Sequence, residues 1–122
     1  MTPKGLRTVA YKVKDLKKAT EWYTKAFEKE PYFDKLFYVG FNIGGYELGL
    51  LPQEEENIKT DNILTYWGVD DIQHSFQHFL DCGAIVHEKP NNVGGELMVA
   101  SVEDPWGNVI GLIYNPYFKI EE

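Results

Sequence analysis

The chain is short of cysteine, of basic residues and of long apolar runs, and each shortage removes a class of protein. Its single cysteine, Cys82, has no partner for an internal disulfide, which fits a reducing cytoplasm. Standing beside Gly83 at the end of a helical pattern, Cys82 reads as a small packing residue, not a reactive thiol. Twelve Lys and Arg against nineteen Asp and Glu leave a formal charge of −7, which argues against gripping nucleic acid through its phosphates. No stretch approaches the ~18 apolar residues of a membrane span. Met1-Thr2-Pro3-Lys4 lacks the apolar region of a secretion signal. Of the three histidines, His74 and His78 share i, i+4 spacing, but Ser75 replaces the Glu of H-E-x-x-H, and both lie opposite an apolar helix face. They read as solvated. His87, alone between Val86 and Glu88, reads as a surface residue, and Glu54-Glu55-Glu56 as a solvated run. Gly44-Gly45 and Gly94-Gly95 are hairpin turns and not phosphate cradles, and no Ser-His-Asp or Cys-His arrangement is legible.

What is present suits one domain with a core of its own: 122 residues, 43% hydrophobic and 15% aromatic. Leu6 to Val13 alternates as a strand, and Asp15 is placed to cap a helix over 16–28 with Leu16, Ala19, Thr20, Tyr23, Ala26 and Phe27 on one face. Leu36 to Ile43 and Tyr46 to Leu51 read as a hairpin about Gly44-Gly45. After a polar stretch the pattern restarts. Ile63 to Val69 reads as a strand, Asp71 caps a helix carrying Ile72, Ser75, Phe76, Phe79 and Leu80, and Gly83 ends it. Val13, Asp15, Leu16, Ala19, Thr20 and Tyr23 map onto Val69, Asp71, Ile72, Ser75, Phe76 and Phe79 by one constant offset, so the chain is an internal repeat. Ala84 to Lys89 and Leu97 to Val102 follow as strands around a turn at Asn91 to Gly95.

The closing stretch, Glu103-Asp104-Pro105-Trp106-Gly107-Asn108, is a tight turn feeding the strand Val109 to Tyr114. Gly111 sits mid-strand, where a glycine weakens pairing and signals that something needs the space.

Three segments carry a family resemblance. They are Val13-Lys14-Asp15-Leu16 leading into Glu21-Trp22-Tyr23-Thr24-Lys25-Ala26-Phe27, Gly68-Val69-Asp70-Asp71-Ile72, and the turn Glu103 to Asn108. In order and spacing they resemble the vicinal oxygen chelate superfamily, which includes glyoxalase I, bleomycin-resistance proteins and extradiol dioxygenases. The fold so implied is α+β, with two pseudo-symmetric βαβββ modules at about 5–52 and 63–115 joined by a linker at 53–62, forming a curved mixed sheet around a cleft. One departure is Glu28, where members usually place a glycine after the first helix.

The resemblance also implies four positions for ligands to a divalent ion: Thr8, Gly49 (with Glu47 on the same face as the alternative), Leu64 and Gly111. A hydroxyl, two glycines and a leucine supply essentially none of the imidazole or carboxylate donors such an ion needs. Strand alternation independently divides the residues into two faces. One holds Thr8, Ala10, Lys12, Glu47, Gly49, Leu64, Tyr66, Gly68, Val109 and Gly111; the other is almost wholly apolar and suits packing under helices. The first face has the small and polar character of a pocket lining. Lys12 and Glu47 are its ionisable groups, set either to meet a ligand or to form a structural ion pair at the rim. Tyr66 reads as ligand contact or core, and Trp106 as a flank of the pocket mouth or a packing lid.

The function expected is that of a metal-free, cofactor-free, cytoplasmic protein that sequesters a small organic ligand, with Thr8, Lys12, Glu47, Gly49, Leu64, Tyr66, Trp106 and Gly111 lining the site. The alternative is a glyoxalase-like lyase, isomerase or dioxygenase, either metal-dependent through other ligands or cofactor-free through Lys12, Glu47 or Tyr66. A partner-binding role for the aromatics Tyr114, Tyr117 and Phe118 is a third reading. Family resemblance implies a homodimer, and exchange of modules between subunits would divide the pocket residues between two chains.

Overall fold

The computed structural model describes residues 1–55, 59 and 62–118. The expected linker at 53–62 therefore lies partly outside the described residues. Two compact units, Met1–Ile58 and Lys59–Glu122, each carry one module.

The first unit runs β1 (Thr8–Val13), α1 (Leu16–Phe27), β2 (Phe33–Lys35), β3 (Tyr38–Ile43) and β4 (Tyr46–Pro52). The second repeats the plan with β5 (Tyr66–Gly68), α2 (Ile72–Asp81), β6 (Ile85–Gly94), β7 (Leu97–Glu103) and β8 (Val109–Tyr114). Each unit builds one four-stranded mixed sheet, ordered β1-β4-β3-β2 and β5-β8-β7-β6. The first and last strands of each module pair in parallel, and the remaining pairs are antiparallel. The fold is α+β, two repeated βαβββ modules.

The offset read from the sequence reappears in the helix caps. Asp15 accepts a hydrogen bond from Lys18 N at 3.0 Å, and Asp71 accepts one from His74 N at 3.1 Å. Both cap residues are extended, and each such cap contributes about 1 kcal/mol. Alternation then buries one face of each sheet under its helix. In the first unit Tyr11, Val13, Val39, Phe41, Leu48 and Leu50 pack with Ala19, Tyr23 and Ala26 of α1. In the second, Ala100, Val102, Ile110 and Leu112 pack with Ile72, Phe76 and Phe79 of α2.

The helices leave differently. At α2 the Gly83 N–H reaches the Leu80 carbonyl and the Ala84 N–H reaches the Phe79 carbonyl, both at 3.0 Å, with Gly83 at φ +103°. At α1 the same reversal is made by Glu28, whose φ of +57° lies in the left-handed region. The missing glycine has thus not altered the geometry of the exit; a glutamate adopts it at a steric cost.

Four strand boundaries differ from expectation. The run 36–43 is broken by a turn at Leu36-Phe37, because Leu36 is 97% exposed and has no core to enter. The strand expected from Ile63 begins at Tyr66. Ile63 and Leu64 are exposed and precede the Tyr66–Gly111 pair at which pairing with β8 starts. The first strand likewise starts at Thr8, where pairing with Glu47 begins. β6 continues through Asn91 to Gly94 by means of irregularities in its register with β7, which shortens the expected turn to the glycine end. No helix among the described residues is long and apolar enough to cross a membrane.

Glycine at position 28 removes the left-handed strain while enlarging the unfolded ensemble, so Glu28→Gly is expected to add about 1 kcal/mol net. Urea denaturation checks this, and an unchanged or lowered midpoint would contradict it.

Candidate functional site

In the first unit the exposed face of the sheet has a floor of two neighbouring glycines. Gly40 on β3 is the register partner of Gly49 on β4, and both main chains are buried. The space their side chains would occupy is filled by tyrosines. A Cβ on Gly40 would stand 2.9 Å from Glu47 Oε2 and 3.0 Å from the Tyr32 ring, and a Cβ on Gly49 would collide with the Tyr38 phenol. Tyr32 is tied to the sheet by its N–H to the Gly40 carbonyl, at 2.9 Å.

Both phenols converge on one carboxylate. Tyr38 OH donates to Glu47 Oε1 at 2.8 Å, Tyr32 OH donates to Oε2, and Thr8 Oγ1 donates to Oε1 at 2.8 Å. Thr8 is Glu47's register partner on β1, which is why the parallel pair brings them together. Three of the roughly four acceptor positions of a carboxylate are thereby taken. The Tyr32 hydroxyl, with help from Thr8 and Tyr38 and against the opposing effect of partial burial, holds the Glu47 carboxyl below its usual range. Burial, then the hydrogen bond to Glu47, pushes the Tyr38 phenol up to about 12. The hydrogen bond to Glu47 raises Tyr32 as well. Beside this cluster is a recess of about 300 Å³ lined by Arg7, Thr8, Tyr32, Asn42, Tyr46 and Glu47.

The second unit has the equivalent position. Ala10 pairs with Gly49, and Tyr66, the counterpart of Ala10 in the repeat, pairs with Gly111. The Tyr66 ring and the Thr65 carbonyl occupy the space left by Gly111, where an added Cβ would lie 2.8 Å from Tyr66 Cδ1 and 2.5 Å from Thr65 O. Next across the sheet is Ser101, the partner of Gly111, whose Oγ is 2.7 Å from His87 Nδ1. His87 is not the surface residue expected. It sits where the register between β6 and β7 shifts between Val86 and Glu88, and the irregularity carries its ring to a buried serine.

The closing turn is held by Asp104, only 3% exposed. Its Oδ1 accepts from Trp106 N and Asn108 N, both at 2.8 Å, and its Oδ2 accepts from Asn108 Nδ2 at 3.0 Å. Lys59 Nζ donates to Asn108 Oδ1 at 3.2 Å. Gly107, at φ +84°, closes the loop. Trp106 is half-buried in that turn.

Of the residues singled out from sequence, Thr8, Glu47 and Gly49 meet in one place, and Tyr66 meets Gly111. Lys12 is exposed on β1 opposite Leu51, four residues along from Thr8, and Leu64 lies outside the strands. Tyr32, Tyr38 and Gly40 were missed. Neither tyrosine falls in a motif, and the signal available was the glycine pair itself, 40 and 49, in facing strands of one hairpin.

These donors do not suit a divalent ion. The four positions offer one threonine hydroxyl, already donating to Glu47, and no imidazole or carboxylate; Glu47, the alternative at the second, is occupied by three hydroxyls. Among the described residues no group of three or more His, Cys, Asp or Glu is placed to hold a metal.

Alanine at Gly49 must displace the Tyr38 phenol, so Gly49→Ala is expected to cost about 1–3 kcal/mol. Gly68→Ala, where nothing lies within 4 Å of an added Cβ, is the control and is expected to stay near the parent. Equal urea midpoints for the two variants would contradict this.

Comparison with known proteins agrees with the fold. The structure resembles a glyoxalase-related enzyme from Fulvimarina pelagi (13% identity, TM-score 0.81, covering 98% of this chain and 94% of that one). It also resembles the fosfomycin resistance protein FosX of Listeria monocytogenes (18%, 0.79, 95% and 97%) and that of Mesorhizobium loti (16%, 0.75, 95% and 96%). No curated protein matches the sequence. The family model of the Glyoxalase/Bleomycin resistance protein/Dioxygenase superfamily matches residues 5–112, and with nearly the whole chain so covered, the protein belongs to that superfamily.

Proposed function

We propose that this protein binds a small organic ligand without a metal ion, as a cytoplasmic homodimer, using the recess beside Glu47 in the first module. Thr8 and Glu47 line that recess, Gly49 lies under the Tyr38 phenol bonded to Glu47, and Lys12 lies further along β1. In the second module the same reading assigns Tyr66, Trp106 and Gly111 to ligand contact. The observation that carries it is the state of the Glu47 cluster. Efficient general acid–base catalysis wants groups that exchange protons near the working pH. Here the carboxyl is drawn down and the Tyr38 phenol is pushed up to about 12, so both move away from neutrality. Such a cluster presents a fixed negative charge and oriented hydroxyls, which suits recognition better than proton transfer. The resistance proteins among the structural neighbours are consistent with a role in dealing with small molecules, and their names extend no further to this chain.

Native mass spectrometry with elemental analysis of the purified protein tests the reading in one preparation. The expected result is a dimer without a stoichiometric divalent ion, carrying or accepting a small organic adduct that is lost on denaturation. One divalent ion per chain would overturn it in favour of a metal-dependent lyase, isomerase or dioxygenase.

A further inference from the structure

The recess contains two opposite charges that do not neutralise each other. Arg7 donates from Nη1 to the carbonyls of Lys4 at 2.9 Å and Leu6 at 3.2 Å, and Glu47 is held by three hydroxyls. Among the described residues no hydrogen bond or ion pair joins the two side chains, although the main chains meet through Glu47 N–H to the Arg7 carbonyl at 2.8 Å and both residues line the same recess. Tyr46 and the 64%-exposed Tyr32 bring aromatic rings to it. Asn42 spends its side-chain oxygen on Gly45 N at 2.8 Å, leaving its amide NH2 for an acceptor.

We propose that the recess beside Glu47 takes a small zwitterion, one molecule bearing an ammonium group and an anionic group on a short aromatic or apolar body. This rests on the small-molecule-binding reading above and names its ligand class. The ammonium goes to the acceptor position that the three hydroxyls leave open on the Glu47 carboxylate, beside the exposed Tyr32 ring. The anionic group goes to the Arg7 guanidinium and the Asn42 amide, whose donors match a carboxylate. The recess is open to solvent and about 300 Å³, which leaves room for a body the size of a free amino acid. A ligand with only one charge would leave the other side of the recess facing an uncompensated partner.

Isothermal titration calorimetry of the full chain with three matched probes tests the charge rule. The probes are L-phenylalanine, its amide, which is only cationic, and N-acetyl-L-phenylalanine, which is only anionic. L-Phenylalanine is expected to bind at least about tenfold more tightly than either relative. Glu47→Gln, nearly isosteric, is expected to abolish its advantage over the N-acetyl probe. Arg7→Gln, at a position outside β1, is expected to abolish its advantage over the amide. Equal affinities, binding of none of the three, or variants that leave the ranking unchanged would overturn the proposal. A co-purified adduct lacking one of the two charges would overturn it while leaving the binding reading intact. A stoichiometric metal ion strikes the binding reading instead, so the two failures are distinct.

Discussion

Two glycines facing each other across one hairpin are the constraint on which the first module's site depends. With Gly40 and Gly49 in register, no side chain rises from the middle of the sheet, and the rings of Tyr32 and Tyr38 lie over bare main chain. Their hydroxyls can then reach the Glu47 carboxylate, which Thr8 meets from the neighbouring strand. Remove that clearance and the tyrosines must stand off, leaving a half-buried carboxylate short of donors. The charge at Glu47, the height of the Tyr38 ionisation and the outline of the recess all follow from the absence of two side chains.

The repeat shows how one plan can be furnished twice. Both modules share cap, strand order and the register that sets a glycine on the last strand beside the first strand, as in Ala10 with Gly49 and Tyr66 with Gly111. They differ in what fills the clearing. In the first module a tyrosine from the hairpin crosses the glycine to reach an acid; in the second the ring comes from the paired strand itself, and a Ser101–His87 contact stands beside it. Two of the four positions that the resemblance assigns to metal ligands, Gly49 and Gly111, hold here the glycines that make these clearings.

Much of this is legible in the sequence. The offset of the repeat, the two aspartate caps and the buried face through Tyr11, Val13, Leu48, Leu50, Ile110 and Leu112 come from local chemistry and alternation, which act over a few residues. Glu47 and Thr8 were placed on one face for the same reason. Tyr32 was not visible, because it precedes the short edge strand and joins the cluster through the Gly40 carbonyl, a contact that no period in the sequence encodes. Nor was His87, whose ring reaches Ser101 only through a register shift. Leu64 was misassigned to a strand because an apolar pair, Ile63-Leu64, extends the run without a paired row to bury it. Gly111 was correctly taken to mark a needed space, but the occupant is the chain's own Tyr66.

The central claim is that Glu47 is kept ionised by the hydroxyls gathered above the glycine floor. Its folded pKa is lowered, so the stability this cluster contributes is present above the unfolded value and is lost as pH falls through the folded one. Carbon-13 NMR of the Glu47 side-chain carboxyl across an acid titration reads this directly. The account predicts a midpoint clearly below the ordinary glutamate value of 4.5, moving upward when Tyr32 is replaced by Phe. A midpoint at or above 4.5 in the parent protein, unmoved by that replacement, would contradict it.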